Sequence, residues 1–553
     1  MTDRSPDAPT IVQTTASTTA DARPADLVWG AFSDDAPWVL RQDGIRWAAH
    51  AERLRAEARR EVPELTRASK WPHGARVVRV TARLTRAMVP WLVLKKLGKL
   101  ATAEQSRADV SLRLRRAAED LGPTYIKLGQ IISSGEGLFP AELVKEFRLC
   151  RDQVPAETFD VVRRVVESEL GRTLEQQFAW FDPTPLAAAS IAQVHAARLH
   201  TGEEVVVKVQ RPSVHALVRK DLRAMSWLAP FLIGRIPVAA LANPPALVEL
   251  FAETISEELD FRIEAANMLD VAKILAELDQ RGYVIPRPHP ELVTERVLVM
   301  ERLRGFAFDD VAGMKAAGVD TTAVIRTGMI AFMEGALIYG VFHGDLHGGN
   351  LFVMEDGRTA LLDFGITARL SPQRRTAFLR LMLGATTNDV NGQLAALRDL
   401  GALPPDTDLA AVIRDLKLDQ PPLDPTKLTA DELVKEIQTV IKALLGYGAR
   451  IPKELMLYVK NLVFLDGAIA TLAPELDLLG EIASISMLFA TKHGERLAQE
   501  IGIDPTAVTF DYDGIKALYG VDPTTESLTY RELQERRDLI AKRMAERTKR
   551  SRR

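Results

Sequence analysis

Hydrophobic positions change rhythm along this chain, and the changes mark out its elements. From Ser106 to Leu121 apolar residues recur at helical spacing, and Gly122-Pro123 ends the run. A second helix then carries "TYIKLGQIISS". From Pro185 to Pro212, "PLAAASIAQVHAARLHTGEEVVVKVQRP" replaces the helical period with short β-branched runs. Within it, His200-Thr201-Gly202-Glu203 reads as a hairpin turn before the strand "EVVVKVQ". Leu247, Phe251, Ile255, Leu259 and Ile263 recur every four residues, which predicts one long helix with a buried stripe. "RVLVM" is a further strand, and "MERLRG" leaves it. Beyond Ser371 the pattern is helical almost throughout, with "LPPDTDLAAV" and "LDQPPLDPTK" as surface loops. No internal repeat is present.

Length and composition narrow the picture. At 553 residues the chain is several times longer than one core needs, so it should hold two or more packed units. Hydrophobic residues make up 47%, charged residues 26%, and the net charge is −3, which gives no reason to expect a nucleic-acid partner. Nothing in the pattern sets an oligomeric state. The single cysteine, Cys150, rules out an intramolecular disulfide framework and fits a reducing cytoplasm. It lies in "EFRLCRDQV" with no base beside it, and reads as an inert helix cysteine. Residues 1–30 are rich in Ser, Thr, Ala, Asp and Pro without an apolar h-region, and read as a disordered tail rather than a secretory signal. "LMLYVKNLVFLDGAIATLA" is the best late candidate for a membrane span. It carries Lys460 and Asp466, so a buried helix fits it better.

Two stretches are basic. Residues 75–100 hold seven Lys or Arg and no acid, interleaved with Val, Leu, Met and Trp91. One reading is an interfacial segment with Trp and Leu inward and arginines on anionic head groups. The other is a helix on its own protein with a solvated basic face, broken in its middle by Pro90. The final 26 residues hold ten Lys or Arg against four acids, as a fraying helix with a basic end would.

The chemistry concentrates in "FHGDLHGGNLFVMEDGRTALLDFG", residues 342–365. Phosphoryl transfer from ATP needs a lysine on the phosphates, Mg²⁺ held by hard oxygens, and an aspartate near the attacking group. "HGDLHGGN" supplies Asp345 and Asn350 at kinase offsets, with Gly344 where a kinase has Arg. A hairpin turning at Asp356-Gly357 should return Asp363, of Asp363-Phe364-Gly365, beside Asn350. Asn350 and Asp363 are then the expected Mg²⁺ ligands. His343 and His347 stand at i,i+4, but Gly344, Gly348 and Gly349 oppose the helix that zinc spacing requires. Lys208, in "VVVKV", is the expected ATP lysine. Asp260 and Glu264 at i,i+4, with Glu257 on the same face, offer acids, and Glu264 is its expected partner. Where a glycine-rich loop is expected stands Ala187, Ala188, Ala189, Ser190, which should hold phosphates less closely. No "APE" follows the Asp-Phe-Gly, so the substrate-docking apparatus of an ordinary protein kinase is missing from the pattern.

These residues resemble the UbiB/AarF group of atypical kinase-like proteins. The likeness rests on "KLGQ" (Lys127–Gln130), "AAASIAQVH", "VVVKVQRP", "EELDFRIEAAN", "HGDLHGGN" and "DFG", over about residues 105 to 370. It implies an α+β, two-lobed protein-kinase-like fold, with a small β-containing N-lobe (151–303), a helical C-lobe (304–490) and an added helical extension (31–150). A helical tail would fill 491–553. It further implies that Lys127, with Gln130 on the same KxGQ motif, meets the ExD pair Glu258 and Asp260 and covers the place of a protein substrate. Lys127, Lys208 and Asp345 would be catalytic, and Met300, Glu301 and Leu303 would join the alanine-rich stretch at the nucleotide. The expected cofactors are ATP and Mg²⁺. The expected activity is an ATPase or small-molecule kinase supporting isoprenoid quinone or other lipid metabolism, in the cytoplasm or peripherally on the inner face of a membrane. Two other readings are an aminoglycoside- or choline-kinase-like phosphotransferase, which the KLGQ, AAAS and ExD elements oppose, and a nucleotide-gated scaffold, which the full set of catalytic residues opposes.

Overall fold

The computed structural model describes residues 31–34, 37–41, 45–67, 74–99, 102–133, 139–150, 155–232, 244–387, 389–418, 443–444, 446–450, 452–502, 516, 522 and 524–551. The tail 1–30 and most of "LDQPPLDPTK" lie outside them. Twelve strands occur among these residues. In chain order they are β1 (Phe178–Phe181), β2 (Ala187–Ala188), β3 (Ala192–Leu199), β4 (Glu204–Gln210), β5 (Tyr283–Val284) and β6 (Pro288–Val293). There follow β7 (Val297–Glu301), β8 (Phe306–Ala307), β9 (Val341–His343), β10 (Leu351–Val353), β11 (Thr359–Leu361) and β12 (Thr367–Arg369). An antiparallel sheet runs β1-β3-β4-β7-β6, with β2 added to β3. Its central strand obeys the period of two. Val205, Val207 and Val209 face the helix Phe159–Leu170, where they pack with Val162, Val165 and Val166. Lys208 therefore points to the opposite face.

That face is covered by the helix Phe261–Glu277. Here the sequence reading needs correcting, because the predicted long helix is two. Pro244–Glu258 ends, Leu259 and Asp260 leave the helical path, and Asp260 then caps Phe261–Glu277 by accepting from the Arg262 N–H at 3.0 Å. An aspartate at this N-cap satisfies a backbone donor that a continuous helix would have satisfied itself. Leu247 is only half-buried, whereas Phe251, Ile255, Leu259 and Ile263 are buried as expected.

The rest is a helical lobe around Thr321–Glu334, Pro372–Thr386, Lys453–Leu472 and Leu478–Ile501, with the hairpin β10–β11 in a small second sheet ordered β5-β11-β10-β8. Leu478–Ile501 runs unbroken through the boundary drawn at 490. Lys492 and His493 bond the fully buried Glu334 at 2.8 and 2.9 Å, so the start of the presumed tail belongs to this lobe. "LPPDTDLAAV" is a loop only to Asp408, whose carboxylate caps the helix Leu409–Leu416. The basic end is helical, Tyr530–Ser551, and Arg537 reaches Asp466.

The extension shares the main core. Val77, Val80 and Trp91 are buried in one cluster with Phe251, Phe332 and Phe378. Pro90 does not break its helix: Ala75–Lys96 is continuous. The adjoining Trp91, 2% exposed with Nε1 donating to Ser106 Oγ at 3.1 Å, anchors the backbone through the lost hydrogen bond. Trp91 thus points into the protein, whereas Val78, Val89, Leu92, Val93 and Leu97 are exposed. Among the described residues two helices, Thr321–Tyr339 and Lys453–Leu472, are long and apolar enough to cross a membrane. Cys150 is buried just past the helix Ala141–Arg148.

Candidate active site

Lys208 lies mid-strand, opposite Val194 of β3 and Leu298 of β7. Its Nζ meets Glu264 Oε1 at 2.7 Å and Asp363 Oδ2 at 3.2 Å. Glu264 sits in the first turn of the capped helix, so the cap at Asp260 sets where this carboxylate falls. Burial alone would lower the Lys208 pKa, but Asp363 and Glu264 hold it above the ordinary value. Burial pushes Glu264 up to about 7, against the pull of Lys208. The acids once placed on one face part company at the helix break. Glu257 pairs with Lys453 at 3.0 Å, and Asp260 with Arg262 at 2.6 Å.

The hairpin forms as its spacing requires. Leu351, Phe352 and Val353 pair with Leu361, Ala360 and Thr359, and the Leu362 N–H donates to the Asn350 carbonyl at 3.0 Å. Asp363 is thereby returned next to Asn350. His343 accepts the Asp345 N–H on Nδ1 at 3.1 Å and donates from Nε2 to the Asp363 carbonyl, so one ring ties the two halves together. His347 caps its own turn by accepting the Gly349 N–H at 3.1 Å. Gly344 also gains a reason. A Cβ there would stand 2.6 Å from Ile366 Cγ2, so the arginine of ordinary kinases has no room.

Ala187 and Ala188 form β2 on Val194 and Gln193, and the Ala189 N–H donates to the Ala192 carbonyl at 2.8 Å. The alanine-rich stretch with the buried Ser190 is thus a hairpin tip, held by Arg211 through the Ala189 carbonyl at 3.2 Å. Arg211 was not expected to act here. Met300 pairs with Val206, and Leu303 follows half-buried. The Glu301 carboxylate accepts from Ser33 Oγ and from the Arg287 N–H at 3.2 Å, so the extension reaches this segment too.

Lys127 projects from the helix Pro123–Ser133, which also carries Gln130. Gly129 lets that helix close on Ala141–Arg148, since a Cβ would fall 2.5 Å from Phe147. Lys127 Nζ meets Glu258 Oε2 at 3.0 Å and Asp345 Oδ2 at 3.9 Å. Half of the expected ExD contact is therefore corrected. Glu258 and Asp345 receive Lys127, while Asp260 is engaged by its helix cap and Arg262. Asp345 has a second cation, Lys460, which the sequence reading missed. Burial would raise the Asp345 pKa, but Lys460 and Lys127 hold it well below the usual carboxylate range.

A further group was missed. Arg55 of the extension reaches Asn267 Oδ1 at 2.8 Å and Asp270 Oδ2 at 3.0 Å, and Arg369 reaches the same two atoms at 2.9 and 2.7 Å. Asn267 Nδ2 donates to the Phe364 carbonyl at 2.9 Å. The extension thus braces both the glutamate helix and the Asp-Phe-Gly segment.

The residues fit a divalent cation of the Mg²⁺ type. Asn350 commits its amide nitrogen to the Asp345 carbonyl at 3.1 Å, and its oxygen accepts no hydrogen bond among the described residues. Asp363 is 42% exposed at its side chain. Two protein oxygens would leave the rest of an octahedral shell to nucleotide phosphates and water. Glu258 Oε1 is buried and has no hydrogen-bond partner among the described residues.

A strand lysine locked to a helix glutamate, above a hairpin that presents Asn and Asp, defines a nucleotide site of protein-kinase type. The ABC1 atypical kinase-like domain matches residues 149–396. An uncharacterized protein of Mycobacterium tuberculosis is 34% identical over 438 residues, covering 78% of this chain and 88% of its own. A protein of Aeromonas hydrophila named "Probable protein kinase UbiB" is 31% identical over 72% of this chain and 71% of its own. An uncharacterized aarF domain-containing protein kinase of Arabidopsis thaliana chloroplasts is 33% identical over 66% and 73%. The chain belongs to the ABC1 atypical kinase-like family, the UbiB/AarF group.

Proposed function

We propose that this protein binds Mg-ATP and acts as an ATPase or a small-molecule, lipid-directed phosphotransferase, supporting isoprenoid quinone or other lipid metabolism. The observation that carries the reading is the Lys208–Glu264–Asp363 chain of contacts at 2.7 and 3.2 Å. It sets a cation for phosphates beside the carboxylate that, with Asn350, would hold Mg²⁺. That ion would neutralise charge developing on the phosphates. Asp345 is the carboxylate for the proton of an attacking water or hydroxyl. Lys127 beside it, on a helix no ordinary kinase supplies, restricts the acceptor side and favours a small acceptor over a protein. Radiolabelled ATP with the purified chain is the test. Release of labelled phosphate with generic protein substrates unlabelled is expected, and efficient labelling of such substrates would overturn the reading.

The site of action in this proposal is the inner face of a membrane, reached from the cytoplasm. Its support is the helix Ala75–Lys96, which exposes Val78, Val89, Val93 and Leu97 among Arg79, Arg86, Lys95 and Lys96. Flotation with anionic liposomes should be salt-sensitive, at about 1 kcal/mol per basic residue near the surface. Equal, salt-insensitive binding to neutral liposomes would count against it.

A further inference from the structure

Lys460 sits in the helix Lys453–Leu472, which is long and apolar enough to cross a membrane. An ammonium whose side chain is only 14% exposed in such a setting needs a partner, and among the described residues its only ion pair is with Asp345. Its position is fixed by its neighbour. Asn461, 0% exposed, accepts the Leu346 N–H at 3.2 Å and donates to the His343 carbonyl, clamping the backbone on both sides of Asp345. Consecutive residues thus do separate jobs: the carboxamide holds the loop and the ammonium meets its acid. The loop needs no second brace, because Asn461 and His343 already hold it.

A nucleotide entering this site brings more negative charge than Lys208 can offset. Lys127 is engaged by Glu258 at 3.0 Å. A water-sized cavity lined by Ile131, Thr254, Ile366, Met456, Leu457 and Lys460 borders the lysine, whose ammonium carries three rotatable donors on a flexible stem. We propose that Lys460 is a catalytic residue that contacts the terminal phosphate of bound ATP, beside the aspartate where that phosphoryl group is handed over. The inference rests on the nucleotide-site reading above.

The test compares Lys460→Met with wild type in the full chain, titrating a non-hydrolysable ATP analogue and ADP, each with Mg²⁺, by calorimetry. One charge-assisted contact to the terminal phosphate should make analogue binding about tenfold weaker, with ADP within about twofold. Lys460→Arg should recover part of the loss. Equal weakening of both nucleotides, or of neither, overturns the proposal. Wild type that binds neither nucleotide overturns the nucleotide-site reading itself. If Lys460→Met does not fold, Lys460→Gln is read by the same ratio.

Discussion

The two ends of the site are built on different plans. At the Lys208 end one ammonium meets Glu264 and Asp363, all from elements an ordinary kinase has. At the Asp345 end one carboxylate meets two ammoniums, Lys127 from the added extension and Lys460 from a late helix. In the proposed function the first end receives the phosphates. The second is already occupied by the protein's own cations. The difference places what is unusual about this molecule at the Asp345 end, the acceptor side of the proposed function.

The largest expected effect is at the first end. Lys208→Met should weaken Mg-ATP binding by about a hundredfold or more, seen by calorimetry, because a buried charge contact is lost and Glu264 is left alone. Glu264→Gln removes that stranded charge in the double variant and separates binding from folding. Binding retained by Lys208→Met would erase the contrast between the two ends.

Next comes the brace. Arg55 is 3% exposed but its partner Asp270 is 41% exposed at the side chain, so Arg55→Met should cost about 2 kcal/mol in urea unfolding, less than a fully buried pair would. It should also weaken ATP binding, because the Asn267 contact to Phe364 loses support. A stability loss with unchanged ATP affinity would confine the extension to the acceptor end.

Lys127→Arg keeps the charge and changes its geometry, so ATP turnover should fall about tenfold with nucleotide affinity within about threefold. Unchanged turnover would remove Lys127 from the acceptor end.

The smallest effect is a control outside both ends. Burial pushes His289 down to about 4, and its Nδ1 accepts the Glu291 N–H at 3.1 Å while Trp38 lies 4.9 Å away. With the folded pKa below the unfolded value of about 6.5, its contribution is full above that pH and is lost progressively as pH falls toward 4. Relative to His289→Gln, wild type should lose stability steadily between pH 7 and 4. An equal pH profile in the variant would contradict the assignment.

Legibility in the sequence follows the same divide. The hairpin, the strand lysine and Glu264 were readable because local period and turn chemistry fix them: Asp356-Gly357 turns the chain, and alternation aims Lys208. The helix break at Asp260 was not, since the four-residue apolar spacing from Phe251 to Ile263 continues through it and the capping aspartate looks like one more surface acid. Lys460 did leave a signal, a charge in an apolar run, which weighed with Asp466 only against a membrane span, and Asn461 beside it was not singled out. Arg55, Asp270 and Arg369 left none, and Asn267 closed the matched "EELDFRIEAAN" without a role. Their meeting depends on tertiary packing of a helix and a strand, 212 and 102 positions away in the Arg55 and Arg369 bonds to Asn267, onto the helix Phe261–Glu277.

The central claim is that Asp363 and Asn350 complete a Mg-nucleotide site with Lys208. Thermal or urea unfolding of wild type and Asp363→Ala, each with saturating ATP with and without Mg²⁺, tests it most directly. Wild type should gain about 3–4 kcal/mol from Mg-ATP at 100 to 1,000 times Kd. A well-folded Asp363→Ala should lose the Mg²⁺-dependent part, and a variant stabilised as fully as wild type would contradict the site.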